Sequence, residues 1–166
     1  YTQCSPMRDE EEQVVFEYGL RHGIPMAGIC RGGQFLNVMC GGKMYQHVDG
    51  HATGTTHAVS PTIASERLVP TTFQVTSTHH QMMIPSEMAT LLLVADMASR
   101  LEYMTRGSIG YKESAVRDDT EALWYPEQKV LCFQPHPEYL GKDSECQKAY
   151  FSFIAEFLGV SSAEKN

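Results

Sequence analysis

The stretch that most constrains this chain is Pro25-Met26-Ala27-Gly28-Ile29-Cys30-Arg31-Gly32-Gly33-Gln34-Phe35-Leu36-Asn37-Val38. It reads as a short buried strand, a sharp turn and the opening of a helix. Cys30 stands at the turn, with Gly28 two residues before it and Gly32 two residues after. G-x-C-x-G is the cysteine version of the G-x-S-x-G nucleophile elbow. A nucleophile perched between strand and helix sits in a strained backbone conformation, and small flanking residues let the two arms of the turn approach. The thiol then meets the helix N-terminus. Its free N–H groups and partial positive charge are expected to lower the thiol pKa and to bind a developing oxyanion. The competing reading of this stretch alone is a small, inert cysteine packed into a Gly-rich strand end.

An elbow needs a sheet behind it, and 166 residues with 42% hydrophobic content are enough for one domain with a sizeable core. A net charge of −7 and the lack of any Lys/Arg run argue against nucleic acid as a partner. No apolar segment approaches membrane-spanning length, and the N-terminus does not read as a signal peptide. The five cysteines are odd in number and widely spread, without a C-x-x-C pair. That suits reduced thiols in a cytoplasmic compartment better than a disulfide framework or a zinc site.

Around the elbow, the pattern predicts a helix from Ser5-Pro6 to His22-Gly23, with Val14, Val15 and Tyr18 as its apolar stripe. Lys43 to Val69 reads as irregular. His47, His51 and His57 invite a metal reading, but Asp49-Gly50 predicts a turn where i,i+4 ligation needs a helix. Solvated loop histidines or substrate-loop contacts are expected instead, with no metal. Strands are predicted at Thr72 to Thr76 and Leu91 to Ala95, and as a hairpin at Thr120 to Tyr125 and Lys129 to Gln134. Met97 to Arg117, with the turn Thr105-Arg106-Gly107-Ser108, reads as a surface excursion. Trp124 is expected in the core or a pocket wall, and Cys40 as a packing residue. Ser144 to Leu158 reads as an amphipathic helix with Tyr150, Phe151, Ile154, Phe157 and Leu158 on its apolar side, followed by a polar tail.

Two further polar motifs end predicted strands. Ser77-Thr78-His79-His80-Gln81 follows the first, where α/β proteins place ligand contacts. Phe133-Gln134-Pro135-His136-Pro137-Glu138 follows the last. Its prolines keep His136 off any helix, and Glu138 is close enough to orient the imidazole. Cys30 as nucleophile, His136 as base and Glu138 as orienting carboxylate make a triad for acyl transfer. The backbone N–H of Arg31 would be one oxyanion donor.

Together G-I-C-R-G-G-Q-F-L-N-V, S-T-H-H-Q and F-Q-P-H-P-E resemble the class I glutamine amidotransferase-like superfamily, closest to its γ-glutamyl hydrolase branch. The resemblance runs in order from Ser5 to Leu158. It implies a flavodoxin-like three-layer α/β sandwich with a mostly parallel sheet. It also implies hydrolysis of a γ-glutamyl amide (glutamine or a γ-glutamyl-amine) through a Cys30 thioester. Gln34, Ser77, His79, His80 and Gln81 would contact the small-molecule substrate, with no metal or organic cofactor. If glutamine is the substrate, a synthetase partner would use the ammonia. The family has further strands before the segment matching Ser5, one with a loop that supplies the second oxyanion N–H, so the domain 1–166 is expected to be N-terminally incomplete. Gly33 stands where many relatives carry a larger apolar residue, which would loosen the pocket wall. Against the hydrolase stand a catalytically silent binding or regulatory module on the same fold, and another cysteine-elbow enzyme such as a small-molecule lyase or deglycase. The His-Pro-Glu motif argues against the last.

Overall fold

A computed structural model describes residues 5–105 and 108–160. The expectations placed on Cys4, on Arg106-Gly107 and on the tail beyond residue 160 fall outside these residues.

Helix α1 (Pro6–His22) starts on Pro6, whose missing N–H costs nothing in a first turn. Ser5 holds the cap position through its carbonyl, which accepts from the Asp9 N–H at 2.9 Å, and not through its side chain. Gly23 closes the helix at φ 63. Strand β1 (Met26–Ile29) leads through Cys30 into α2 (Arg31–Met39). Short strands β2 (Lys43–Tyr45) and β3 (His47–Val48) follow, then β4 (Thr56–Pro61), β5 (Phe73–Thr76), β6 (Met82–Ile84) and β7 (Thr90–Ala95). The hairpin β8 (Arg100–Thr105) and β9 (Ser108–Glu113) precedes the hairpin β10 (Thr120–Tyr125) and β11 (Val130–Phe133). A 3-10 turn (Pro137–Tyr139) leads to α3 (Glu145–Leu158), capped by the Ser144 hydroxyl, which accepts from the Gln147 N–H at 3.2 Å.

Among the described residues six strands form the main sheet in the order β1-β11-β10-β7-β4-β5. Successive residues of β11 point to opposite faces. Leu131 and Phe133 pack under α3 with Phe153 and Ala149, while Val130 and Cys132 pack with Leu36 of α2 and Phe16 of α1. This is the three-layer arrangement, helix on both faces of a sheet.

The sheet is mixed rather than mostly parallel. Only the β1–β11 pair is parallel among the described strands; the other pairings are antiparallel. The reason is local: β10 and β11 meet through a tight turn over Pro126 to Lys129, and a hairpin can only be antiparallel. The region read as irregular contains β4, which lies between β7 and β5. Thr56-His57-Ala58-Val59-Ser60-Pro61 carries too few aliphatic residues for a strand signal, because two of its inward positions are polar. The surface excursion is the hairpin β8–β9, paired to β3 away from the main sheet.

Two helix faces also differ from expectation. Val14, Val15 and Tyr18 are exposed, and Phe16 is the side chain of α1 that is buried. On α3 Tyr150, Ile154, Phe157 and Leu158 pack against the core as expected, but Phe151 is exposed and Phe153 is fully buried. In each case the docking surface selects the face. Trp124 lies half-buried and stacks on Phe157 at 5.0 Å, and Cys40 is buried, both as expected. No helix among the described residues is long and apolar enough to cross a membrane.

Candidate active site

The turn between β1 and α2 holds Cys30 at φ 50, ψ −115, a left-handed conformation that side chains other than glycine seldom adopt. Bonds on both sides hold it there: the Cys30 N–H donates to the Phe133 carbonyl at 2.8 Å, and the Cys30 carbonyl accepts from the Gln34 N–H at 2.9 Å. Gly28 is required by close approach, since a Cβ on it would lie 2.4 Å from the Gly32 carbonyl carbon. Gly33 is not a loosened wall. A Cβ there would stand 3.0 Å from the Gly28 oxygen and from the Phe133 nitrogen, so the backbone itself fills the space.

Around the thiol, Gln134 turns its side-chain amide to Cys30 Sγ at 3.7 Å, and the Arg31 N–H bonds to the sulfur. Burial pushes the Cys30 thiol above its ordinary range. The carboxylates of Glu138 and Glu121 push the same way, while the Arg31 N–H and the Gln134 amide oppose them. The helix N-terminus therefore acts as expected but is outweighed by desolvation. Its guanidinium aside, Arg31 serves the elbow with its backbone; the side chain reaches Glu12 at 2.6 Å and Asp9 at 2.5 Å and ties α1 to the elbow.

His136 arrives from the neighbouring strand. Because β1 and β11 run parallel with Ile29 opposite Phe133, Cys30 and the segment Gln134 to Glu138 leave the same end of the sheet side by side. His136 Nδ1 meets Glu138 Oε1 at 2.6 Å, and the ring stacks on Tyr139 at 4.6 Å. Its backbone N–H donates to Thr76 Oγ1 at 2.8 Å. With Nδ1 engaged by a carboxylate and the ring clamped, Nε2 is the nitrogen left to exchange a proton.

The other expected site residues divide. Gln34 Nε2 donates to the Gln81 carbonyl at 3.1 Å and to Gln134 Oε1 at 3.0 Å, forming the floor beside the elbow. Ser77 is buried and its hydroxyl donates to the Gly50 carbonyl at 3.0 Å. His80 is exposed. His79 is buried, with Nδ1 on the Gln81 carbonyl at 2.9 Å and Nε2 facing Glu121 Oε1 at 3.4 Å. Its ring is turned into the protein.

That ring belongs to a cluster absent from the sequence reading. His51 and His57 are not solvated loop residues: both are buried, His51 completely. His51 Nδ1 lies 3.0 Å and His57 Nε2 3.1 Å from Glu121 Oε1, and His51 Nε2 lies 2.9 Å from Asp119 Oδ2. Burial acts against a charge on His51, but the two carboxylates outweigh it and raise its pKa to about 9. The histidines in turn hold the buried Glu121 well below the ordinary carboxylate range. Only His47 is the solvated histidine expected, paired with Asp49 at 2.9 Å. Glu121, Asp119 and Gln134 were missed. The signal for Glu121 was present: a carboxylate directly before the apolar run Ala122-Leu123-Trp124-Tyr125, within the same strand, needs buried partners.

A mixed sheet between helical layers, with a strained cysteine elbow at the end of its parallel pair, accords with the class I glutamine amidotransferase-like superfamily, to which the family match assigns the chain. More narrowly, the chain belongs to the peptidase C26 family, whose model matches residues 1–138. It is 28% identical over 163 residues to the glutamine amidotransferase-like protein YvdE of Lactococcus lactis, covering 90% of this chain and 61% of that protein. It is 34% identical over 164 residues to protein NtpR of Enterococcus hirae, covering 90% of this chain and 62% of the relative. It thus spans about three-fifths of the length of these relatives. In structure it resembles a protein described as a GMP synthase subunit from Thermoplasma acidophilum (TM-score 0.61, 17% identity, 88% of this chain and 63% of that one). It also resembles a glutamine amidotransferase from Thermotoga maritima (TM-score 0.59, 18% identity, 93% and 56%). These structural likenesses concern the fold.

Proposed function

We propose that the chain carries the catalytic apparatus of a cysteine hydrolase that cleaves a γ-glutamyl amide bond. One observation supports this above the others. The strained Cys30 and the His136–Glu138 pair leave adjacent parallel strands at the same sheet end. In this reading His136 Nε2 takes the Cys30 proton as Sγ attacks the amide carbonyl. The developing oxyanion is bound by the Arg31 N–H, and Glu138 holds the imidazolium. The amine or ammonia leaves with that proton, giving a γ-glutamyl thioester. Water, deprotonated by His136, then releases glutamate and returns the thiol. The thiol is held protonated by burial until the base acts, so transfer to His136 belongs to the chemical step.

A stand-alone hydrolase would act on γ-glutamyl-amines; an amidotransferase component would pass ammonia from glutamine to a synthetase. Similarity in fold to a protein described as a GMP synthase subunit makes the second branch worth testing. The silent-module reading also has one observation on its side, the upward shift of the Cys30 thiol. Release of glutamate from glutamine and from a γ-glutamyl-amine, measured for the wild type and Cys30→Ala, separates all three. Glutamine turnover lost in the variant points to an amidotransferase component, and γ-glutamyl-amine turnover lost in the variant points to a stand-alone enzyme. Turnover of neither, with Cys30 unreactive to a glutamine-like electrophile, ends the enzymatic reading.

A further inference from the structure

The buried histidine cluster lies outside the triad, and the outer hydrogen bonds decide what its inner atoms can do. His51 sits in the turn after β3, His57 on β4, His79 beyond β5 and Glu121 on β10. A neutral His51 donates its Nε2–H to Asp119 Oδ2, so Nδ1 is left as a bare lone pair. A neutral His79 donates its Nδ1–H to the Gln81 carbonyl, so Nε2 is likewise bare. These two nitrogens face each other at 3.2 Å, and both face the Glu121 carboxylate oxygen, at 3.0 and 3.4 Å. With both rings neutral, three acceptors converge in a fully buried site with no hydrogen between them, a demand that a proton on His51 or a cation meets. Something positive must stand there.

Three features favour a metal ion over a proton. The first is charge. Glu121 and Asp119 are both completely buried, and one divalent cation balances both carboxylates where protons alone would need two adjacent buried imidazoles charged at once. The second is spacing. Donors held about 2.0–2.1 Å from a tetrahedral zinc stand about 3.3 Å apart. Four of the six donor separations are 3.0, 3.1, 3.2 and 3.4 Å, and the two from His57 to the other histidines lie within 4.8 Å. The third is the outer layer: ligating histidines hand their other N–H to a carboxylate or a backbone carbonyl, and Asp119 and Gln81 play those parts for His51 and His79, while His57 Nδ1 has no such partner.

We propose that His51, His57, His79 and Glu121 form a closed, four-coordinate zinc site that is structural rather than catalytic. Three imidazole nitrogens and one carboxylate oxygen suit zinc, and with all four positions taken by protein no place remains for a bound water. The ion would tie the turn after β3 to β4, β10 and the end of β5. The Gln81 carbonyl, shared by His79 and Gln34, would transmit that order to the floor beside Cys30.

The test is to equilibrate the purified protein with excess zinc chloride, desalt it and measure zinc by elemental analysis. About one zinc per chain is expected to remain. Glu121→Gln and His57→Ala should lose it, while His47→Ala and Cys30→Ala should keep it. Asp119→Asn should keep the stoichiometry at saturation but weaken affinity by about 10–100-fold, because it reaches the ion only through His51. Should the ligand variants fail to fold, judged by circular dichroism, cobalt in the wild type gives the answer. Intense tetrahedral visible bands support the site, and weak octahedral ones overturn it. Zinc that washes out of the wild type, or that binds equally to folded Glu121→Gln and His57→Ala, also overturns it. In the first case, NMR showing both His51 nitrogens protonated would identify the cluster as a proton-bridged network.

Discussion

At Cys30 the backbone holds a conformation that costs a residue other than glycine about 1–3 kcal/mol. The bonds to Phe133 and Gln34 and the bare backbone of Gly28 and Gly33 offset that strain. Gly28→Ala brings a methyl to 2.4 Å from backbone that cannot rotate away. It should cost about 1–3 kcal/mol of stability in urea unfolding, and because the elbow must open, Cys30-dependent turnover should fall further than stability does. Gly33→Ala, at 3.0 Å, should show the same effects more weakly. The Cys30 thiol has a second consequence. Alkylation requires the thiolate, and burial raises the folded pKa above the ordinary 9.0. The rate of iodoacetamide labelling in the absence of substrate should therefore keep climbing past pH 9; a plateau near pH 6 or 7 would show an already ionised thiol. The position of the cysteine elbow was legible from Gly28, Cys30 and Gly32. The direction of its pKa was not, because the helix end is a local effect and the desolvation comes from distant strands.

At the scale of elements, Arg31 is the link between α1 and the elbow. Burial works against the charge on Glu12, but the guanidiniums of Arg31 and Arg8 outweigh it and hold the carboxyl below 4.5. A carboxylate with a depressed folded pKa contributes stability that is present above its unfolded pKa and lost as pH falls through the folded one. Arg31→Met should therefore destabilise the protein near neutral pH. The pairs are partly exposed, so the loss should be about 0.2–1 kcal/mol. The gap between variant and wild type should close as pH is lowered below 4.5, measured by thermal unfolding across pH. The helices themselves were readable from Pro6, Ser144 and their closing glycines. The face of α3 was readable except at Phe151 and Phe153, and that of α1 was not: Phe16 and Phe153 turn inward because the sheet and α2 lie there, while Val14, Val15 and Phe151 are also apolar and stay outside.

For the whole molecule, the two helical layers meet the sheet on separate cores. Phe153 is the largest fully buried side chain of α3 and enters the core shared with Leu131, Phe133 and Leu93. Phe153→Ala should cost about 3–5 kcal/mol. That loss would read as a lower urea midpoint with the cysteine site intact in folded molecules, and a change below about 1 kcal/mol would mean that α3 docks otherwise.

What the sequence determined by itself was the part of the protein built from neighbours in the chain. The His136–Glu138 pair, the β10–β11 hairpin and the helix ends rest on contacts a few residues long, and the elbow is announced by local residue types and spacing even though Phe133 helps to hold it. Tertiary structure alone decided the rest. It set the mixed order of the sheet, which depends on which edges meet. It buried His51 and His57, which a polar, turn-rich stretch gave every reason to place in solvent. It brought them to His79, Glu121 and Asp119 across as many as 70 positions of sequence, through pairings between β4, β7 and β10. Burial and long-range charge are sums over the folded chain, and no local pattern carries them.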